Sequence, residues 1–309
     1  MPNDTTGLFQ SLIAANNAAA AALKYQNTFV DSIFWDNRPV AQTPFTKLTV
    51  IVPSVDESDV VDIGAGPVQP TDTAHSTFEV PFDRNFSTSF VIKEWEQGRT
   101  PVELQRKYTQ PRLEAFLRKV NRTISQHFNS TTFNIHSVVN GGGADKFERK
   151  DITDAWVNLA KVGAPMEDNG NMFLATTPQA YGNMLSDSNF ITQSIVGDSA
   201  AVEAQQRAHL RLMYGAGLRY DQHLAPFEAG KEPGALYHRY CMAGLTAPVK
   251  SQAGDGGNNV QEAVIRIKGL PVRMQVWYSP DDQGTKVHYN AWWGVAPARK
   301  ELCSLLQTA

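Results

Sequence analysis

Asp281 and Asp282, with Tyr278 just before them and His288 just after, are the residues whose types and spacing best suit reaction chemistry. A carboxylate beside an imidazole does general acid and base work when a pocket raises one pKa, and such a cluster would fit a soluble cytoplasmic hydrolase. The run Pro280-Asp281-Asp282-Gln283-Gly284 is equally what a polar hairpin turn requires, and the turn is the favoured reading. Cys241 would act as a nucleophile only beside a base, and the sequence places none there, so it reads as a buried structural thiol. The seven histidines, at 75, 127, 136, 209, 223, 238 and 288, include no pair at helix-facing or hairpin ligand spacing, so neither a metal site nor a cofactor is expected. Trp277, Tyr278, Tyr289, Trp292 and Trp293 could stack on a sugar, as in a carbohydrate-binding module, but strand alternation assigns them to a packed core. Phosphate-cradling loops, H-E-x-x-H, G-x-S-x-G and calcium-loop spacings are absent. The sequons at Asn3, Asn85, Asn121 and Asn129 read as chance matches, since Asn121 falls inside a helix and no export signal precedes them.

These residues sit in a chain of 309 with 42% hydrophobic and 19% charged residues and a net charge of −3. That length suggests about two domains with ample core. No apolar run suits a membrane span, and the opening MPNDTTGLFQ does not read as a secretory signal, so no membrane partner is expected. The two cysteines, Cys241 and Cys303, lie far apart in sequence, which argues against a disulfide scaffold. A pI near 6.2 gives no general nucleic-acid footprint, although a local patch can hide in a global sum. The distribution is uneven. Residues 1–92 carry four basic residues against ten acidic ones, a net of −6, whereas residues 93–122 carry eight basic against four acidic, a net of +4.

The alanine-rich tract Ser11 to Leu23, followed by Tyr25, Phe29, Ile33 and Phe34 at helical spacing, predicts a helical arm ending before Pro39. Such a helix buries little and needs something to pack on. Lys47 to Val52 reads as a strand, and Phe78, Val80 and Phe82 alternate through a second that resumes toward Phe90 and Ile92. Between them lies a 24-residue polar stretch, Pro53 to Ser76, containing Asp56, Glu57, Asp59 and Asp62. A two-stranded ribbon with so long a tip is marginal alone, so something must cover it. Thr100-Pro101-Val102-Glu103 is a capping box that opens a helix. Leu113, Phe116, Leu117, Val120, Ile124 and Phe128 form its apolar stripe, with Arg112, Arg118, Lys119 and Arg122 on other faces. Pro111 is expected to kink this helix or restart it after a Thr109 cap. Further on, a short helix at 151–162, a buried strand Met172 to Ala175, a helix from Pro178, a helix over 200–214, and strands at 264–267, 272–277 and 285–293 make an α+β unit.

Taken in order, a helical arm, an acidic ribbon, a long basic helix after T-P-V-E, and an α+β unit ending AWWGVAPARKELCSLLQTA resemble the major capsid proteins of tailed bacteriophages with the HK97-like fold, near the P22-type coat branch. The resemblance implies an N-terminal arm over 1–44, an extended β-ribbon loop over 45–92, a peripheral domain with a spine helix over 93–144, and an axial domain over 145–309 whose strands return to the peripheral domain. It implies a non-enzymatic subunit that assembles with itself as hexamers and pentamers of an icosahedral shell. That shell would enclose double-stranded DNA without sequence-specific binding, with scaffolding, portal and decoration proteins as candidate partners. The implied location is the virion capsid, reached from the host cytoplasm. An encapsulin-like compartment of the same fold is the near alternative. Some relatives crosslink a lysine on the extended loop; here no lysine lies between Leu48 and Ile92, so contacts are expected to be non-covalent. The expected inter-subunit contacts pair Asp56, Glu57, Asp59, Asp62, Phe78, Val80 and Phe82 of one copy's ribbon with Arg112, Arg118, Lys119 and Arg122 on a neighbour's spine. Apolar residues would give most of the affinity and charges the register.

Overall fold

The structure, a computed structural model, describes residues 5–22, 28–37, 47–52, 76–96, 100–133, 135–138, 147–166, 170–186, 212–213, 215–226, 231–248 and 260–308. Helix α1 (Thr5–Ala22) carries no charged residue and buries Leu12, Ala15 and Asn16. It stops well short of Pro39. Phe29, Val30 and Ile33 are buried in turns, and β1 (Phe34–Asn37) is a strand running parallel to Met242–Ala247, with Phe34 opposite Ala243. Helical spacing misleads here because the backbone finds better partners far away: the Phe29 amide donates to Asn121 Oδ1 at 3.0 Å, and Phe34–Asn37 joins a sheet.

Strands β2 (Lys47–Val52) and β3 (Ser76–Pro81) form an antiparallel ribbon with Leu48 opposite Val80 and Val50 opposite Phe78. The ribbon ends at Pro81. Residues 84–92, expected within it, belong instead to β4 (Arg84–Lys93), which pairs along the edge of a larger sheet. The acidic residues Asp56, Glu57, Asp59 and Asp62 lie outside the described residues.

The helix after the capping box is continuous from Pro101 to Ser125. It comprises α2 (Pro101–Leu104), a wide π turn at Gln105–Thr109, and α3 (Gln110–Ser125). The box forms as expected, Thr100 N donating to Glu103 Oε2 at 3.0 Å and Glu103 N to Thr100 Oγ1 at 3.4 Å. The expected Thr109 cap does not form: Thr109 has helical dihedrals (φ −71°, ψ −53°) and no side-chain capping bond. Pro111 lacks an N–H and its ring crowds the carbonyl four residues back, and the π turn widens the helix at that point instead of breaking it.

Downstream lie β5 (Ile135–Val138), α4 (Arg149–Lys161), β6 (Met172–Thr176), α5 (Pro178–Ser186), β7 (Leu212–Met213), β8 (Ala216–Tyr220), β9 (Pro233–His238), β10 (Met242–Ala247), β11 (Gln261–Ile267), β12 (Leu270–Ser279), β13 (Gly284–Pro297) and β14 (Cys303–Gln307). The helix expected over 200–214 is not borne out at its end, where Leu212 and Met213 pair with Gly217 and Ala216 across a turn with Gly215 at φ 79°. Residues 200–211 lie outside the described residues.

Two six-stranded sheets organise the chain. The first runs β1-β10-β13-β12-β11, with β4 on the other edge of β13. Alternation builds it: Val272, Met274 and Val276 of β12 and Val287, Tyr289 and Ala291 of β13 face the core, while Arg273, Gln275, Lys286, His288 and Asn290 take the other face. A two-residue turn with both residues at positive φ, Lys268 (51°) and Gly269 (83°), closes the β11–β12 hairpin. The second sheet runs β5-β14-β9-β6-β8-β7, and β6, β9 and β14 are buried at every position. One hydrophobic core runs through both sheets and under α1 and α3.

Candidate assembly surfaces

The ribbon is held to the chain by one face. Val50, Val80 and Phe82 are fully buried and form a second, smaller core with Ala243, Leu245, Ala247 and Trp292 of the first sheet and Ala298 just past β13. Phe82 packs on Trp292 with ring centroids 6.2 Å apart. Val80 and Phe82, expected to touch a neighbour, are therefore spent inside their own chain, which is where the cover that the ribbon needs comes from; Phe78 is only partly buried beside them. The outward face presents Lys47, Thr49, Ile51, Thr77 and Glu79, and Ile51 is 56% exposed. A side chain on Gly294 would place its Cβ 1.7 Å from the Pro81 carbonyl oxygen, so the ribbon base crosses β13 where only glycine leaves room.

The spine helix lies on the opposite face of the same sheet. Trp293, the next residue after Trp292, points the other way, toward Phe86 at 5.2 Å, and Phe86 in turn meets Phe116 of α3 at 6.5 Å. The π turn is pinned by Glu96, which accepts from Lys107 Nζ and Tyr108 OH while Tyr108 stacks on Phe90 at 5.2 Å. The hydrogen bond to Glu96 pushes the Lys107 pKa up. The apolar stripe predicted for α3 is buried as expected, and Arg112, Arg118, Lys119 and Arg122 are all exposed on the face turned away from the sheet.

Asn121 interrupts the apolar side of the spine with a polar tie. Its side-chain amide donates to Asp221 Oδ2, its oxygen accepts from the Phe29 amide, and Asp221 Oδ1 accepts from the His223 amide at 2.7 Å. Burial raises the Asp221 pKa, while the His223 and Asn121 hydrogen bonds oppose that rise. The spine, the segment after α1 and the end of β8 meet at this one amide. The signal in the sequence was an asparagine within an apolar stripe; equally, adjacent tryptophans followed by glycine in a strand marked the ribbon and spine anchors.

The hydrolase residues are not brought together. Asp282 accepts from Ser279 Oγ at 2.7 Å and pairs with Lys286 at 2.6 Å, closing the turn, and the lysine holds its carboxyl below the usual range. His288 lies four residues into the extended strand beyond Gly284, roughly 14 Å along it. There it packs near Trp277 at 6.4 Å, and burial with nearby Arg273 lowers its pKa. Cys241 and Cys303, remote in sequence, are neighbours in the core as free, fully buried thiols, and burial with the neighbouring thiol pushes the Cys241 pKa up. Among the described residues no group of three or more histidine, cysteine or acidic side chains gathers to hold a metal, and no helix is long and apolar enough to cross a membrane.

No protein-family model matches the chain, and no curated protein matches its sequence. Solved structures do. The capsid of cyanophage P-SCSP1u matches with a TM-score of 0.57 at 11% identity over 93% of this chain and 90% of that one. A structure from Mycobacterium phage Che8 matches with a TM-score of 0.51 at 14% identity, over 86% and 85%. A virus-like particle from Pyrococcus furiosus matches with a TM-score of 0.50 at 10% identity, over 96% and 98%. The chain has the HK97-like capsid fold. These likenesses do not single out the P22-type branch.

Proposed function

We propose that the chain is the major capsid protein of a tailed bacteriophage, a structural subunit that assembles with copies of itself into an icosahedral shell around double-stranded DNA. The observation that carries this reading is the capsid fold across nine-tenths of the chain, including a ribbon whose outward face a lone subunit leaves in water. Hexamers and pentamers of the chain form the shell, with scaffolding, portal and decoration proteins as further partners. Assembly takes place in the host cytoplasm and ends in the virion.

In a closed shell every copy turns the same layer inward. The ribbon therefore reaches its neighbour on the ribbon side of the sheet, through Phe78 and Ile51 and, as expected from the sequence, the acids Asp56, Glu57, Asp59 and Asp62. That side of the neighbour offers cations. Arg266 is exposed there, and Arg273 Nε and its cross-strand neighbour Asn290 Oδ1 have no hydrogen-bond partner among the described residues. The pairing expected with Arg112, Arg118, Lys119 and Arg122 would have to cross the thickness of the sheet, which favours Arg266 and Arg273 as the cationic partners.

Expression of the chain with and without candidate scaffold, followed by light scattering and negative-stain microscopy, tests the reading. Polyhedral particles are expected, with nucleic acid rather than protein cargo inside. Lysine at Asp56, Glu57, Asp59 and Asp62 together is expected to abolish particles while circular dichroism stays native. A chain that remains a monomer or dimer with every scaffold would sink the proposal.

A further inference from the structure

We infer that the exposed stripe of the spine helix, Arg112, Arg118, Lys119 and Arg122, lines the inside of the shell and takes the phosphate backbone of duplex DNA without reading its sequence. This rests on the shell reading above. The stripe is on the opposite side of the first sheet from the ribbon, as Trp292 and Trp293 show by packing toward ribbon and spine respectively. It is therefore left over when the ribbon side makes the contacts between copies. From Arg112 to Arg122 the four cations span about 15 Å of helix. Between residues 111 and 126 the only other exposed positions are Pro111, Ala115 and Gln126; the one acid in this span, Glu114, is half-buried at the edge of the stripe one turn before Arg118 and accepts from Gln110 Nε2 at 3.2 Å. The helix packed alongside, α1, contributes no charge of either sign. Among the described residues no ion pair engages Arg112, Lys119 or Arg122. A flexible row of guanidinium and ammonium groups with no shape-specific pocket suits a uniform polyanion, and the phosphate backbone presents one charge per roughly 1.7 Å of duplex. The global pI of 6.2 hides this stripe because the acids of residues 1–92 lie elsewhere in the chain.

The test titrates a fluorescent duplex of about 30 base pairs with the unassembled full chain over a range of salt concentrations. If about three of the cations meet phosphates, the log–log slope is about −2.7, so a fourfold rise in salt weakens binding roughly forty-fold. The variant Arg112→Gln, Arg118→Gln, Lys119→Gln, Arg122→Gln is expected to bind at least about tenfold more weakly with a flattened slope and still to form particles. Intact wild-type particles are expected to ignore added duplex that opened particles bind. Unchanged duplex affinity in the variant overturns the inference. So does duplex binding to intact particles, which would put the stripe outside. Loss of particles with duplex binding retained would make the stripe a contact between copies instead. If the fourfold variant fails to fold, Arg118→Gln with Arg122→Gln reads the same slope. Failure of the wild type to form particles with any scaffold would count against the shell reading alone, because the titration still reports on the stripe.

Discussion

Trp292 and Trp293 are neighbours on one strand with opposite duties: Trp292 packs on Phe82 of the ribbon at 6.2 Å, and Trp293 packs at 5.2 Å on Phe86, which touches the spine. One strand thus fixes both the element that reaches out and the helix that backs the sheet. Trp293 is 2% exposed in the main core, and its replacement by alanine is expected to cost about 3 to 5 kcal/mol, seen as a lower urea midpoint. Trp292→Ala is expected to cost less stability but to free the ribbon, so that limited proteolysis cuts between residues 47 and 81 and particle yield falls. Equal effects of the two substitutions on stability and on cleavage would contradict this division.

Gly294 decides where the ribbon can lie. A Cβ there would meet the Pro81 carbonyl oxygen at 1.7 Å and the Pro81 carbonyl carbon at 2.8 Å, and backbone cannot step aside as a side-chain tip does. Gly294→Ala is expected to destabilise by at least ~1 to 3 kcal/mol and to stop particle formation. Gly182, exposed in α5 with nothing within 4 Å of an added Cβ, is the control: Gly182→Ala should stabilise by up to ~1 kcal/mol and leave particles normal. Thermal melts and microscopy on both variants check the contrast.

Much of the fold was legible because one-sided elements write their burial into alternation. Residues 272–277 and 285–291 alternate core-facing and more exposed positions along β12 and β13, and α3 shows its stripe at 3 to 4 residue spacing. Strands β9, β10 and β14 were not legible. They are buried on both faces, so PGALYH, MAGLTA and CSLLQ carry no alternation, and their small residues lack strong strand preference. The ribbon was found, but two of its apolar residues, Val80 and Phe82, were assigned to a neighbouring copy. Local pattern shows that Val80 and Phe82 need cover and says nothing of whose, and the cover turned out to be Trp292 and the β10 alanines and leucine of the same chain.

The tie between Asn121 and Asp221 should make stability depend on pH. Burial raises the folded-state pKa of Asp221 above its ordinary 3.8, so the proton binds the folded chain more tightly than the unfolded one. Its favourable contribution is complete below the unfolded value and is lost as pH rises through the folded one. Asn121 donates to the carboxylate and opposes the shift, so Asn121→Ala moves the folded value higher still and extends the loss. The cost of Asn121→Ala is expected to be about 1 to 3 kcal/mol at about pH 7 and to shrink as the pH falls toward about 4 and the carboxyl takes up its proton. In the Asp221→Asn background the same substitution should lose this pH dependence. Urea midpoints of the four proteins at both pH values measure it, and a cost for Asn121→Ala that is flat with pH would place the charge of Asp221 outside the tie.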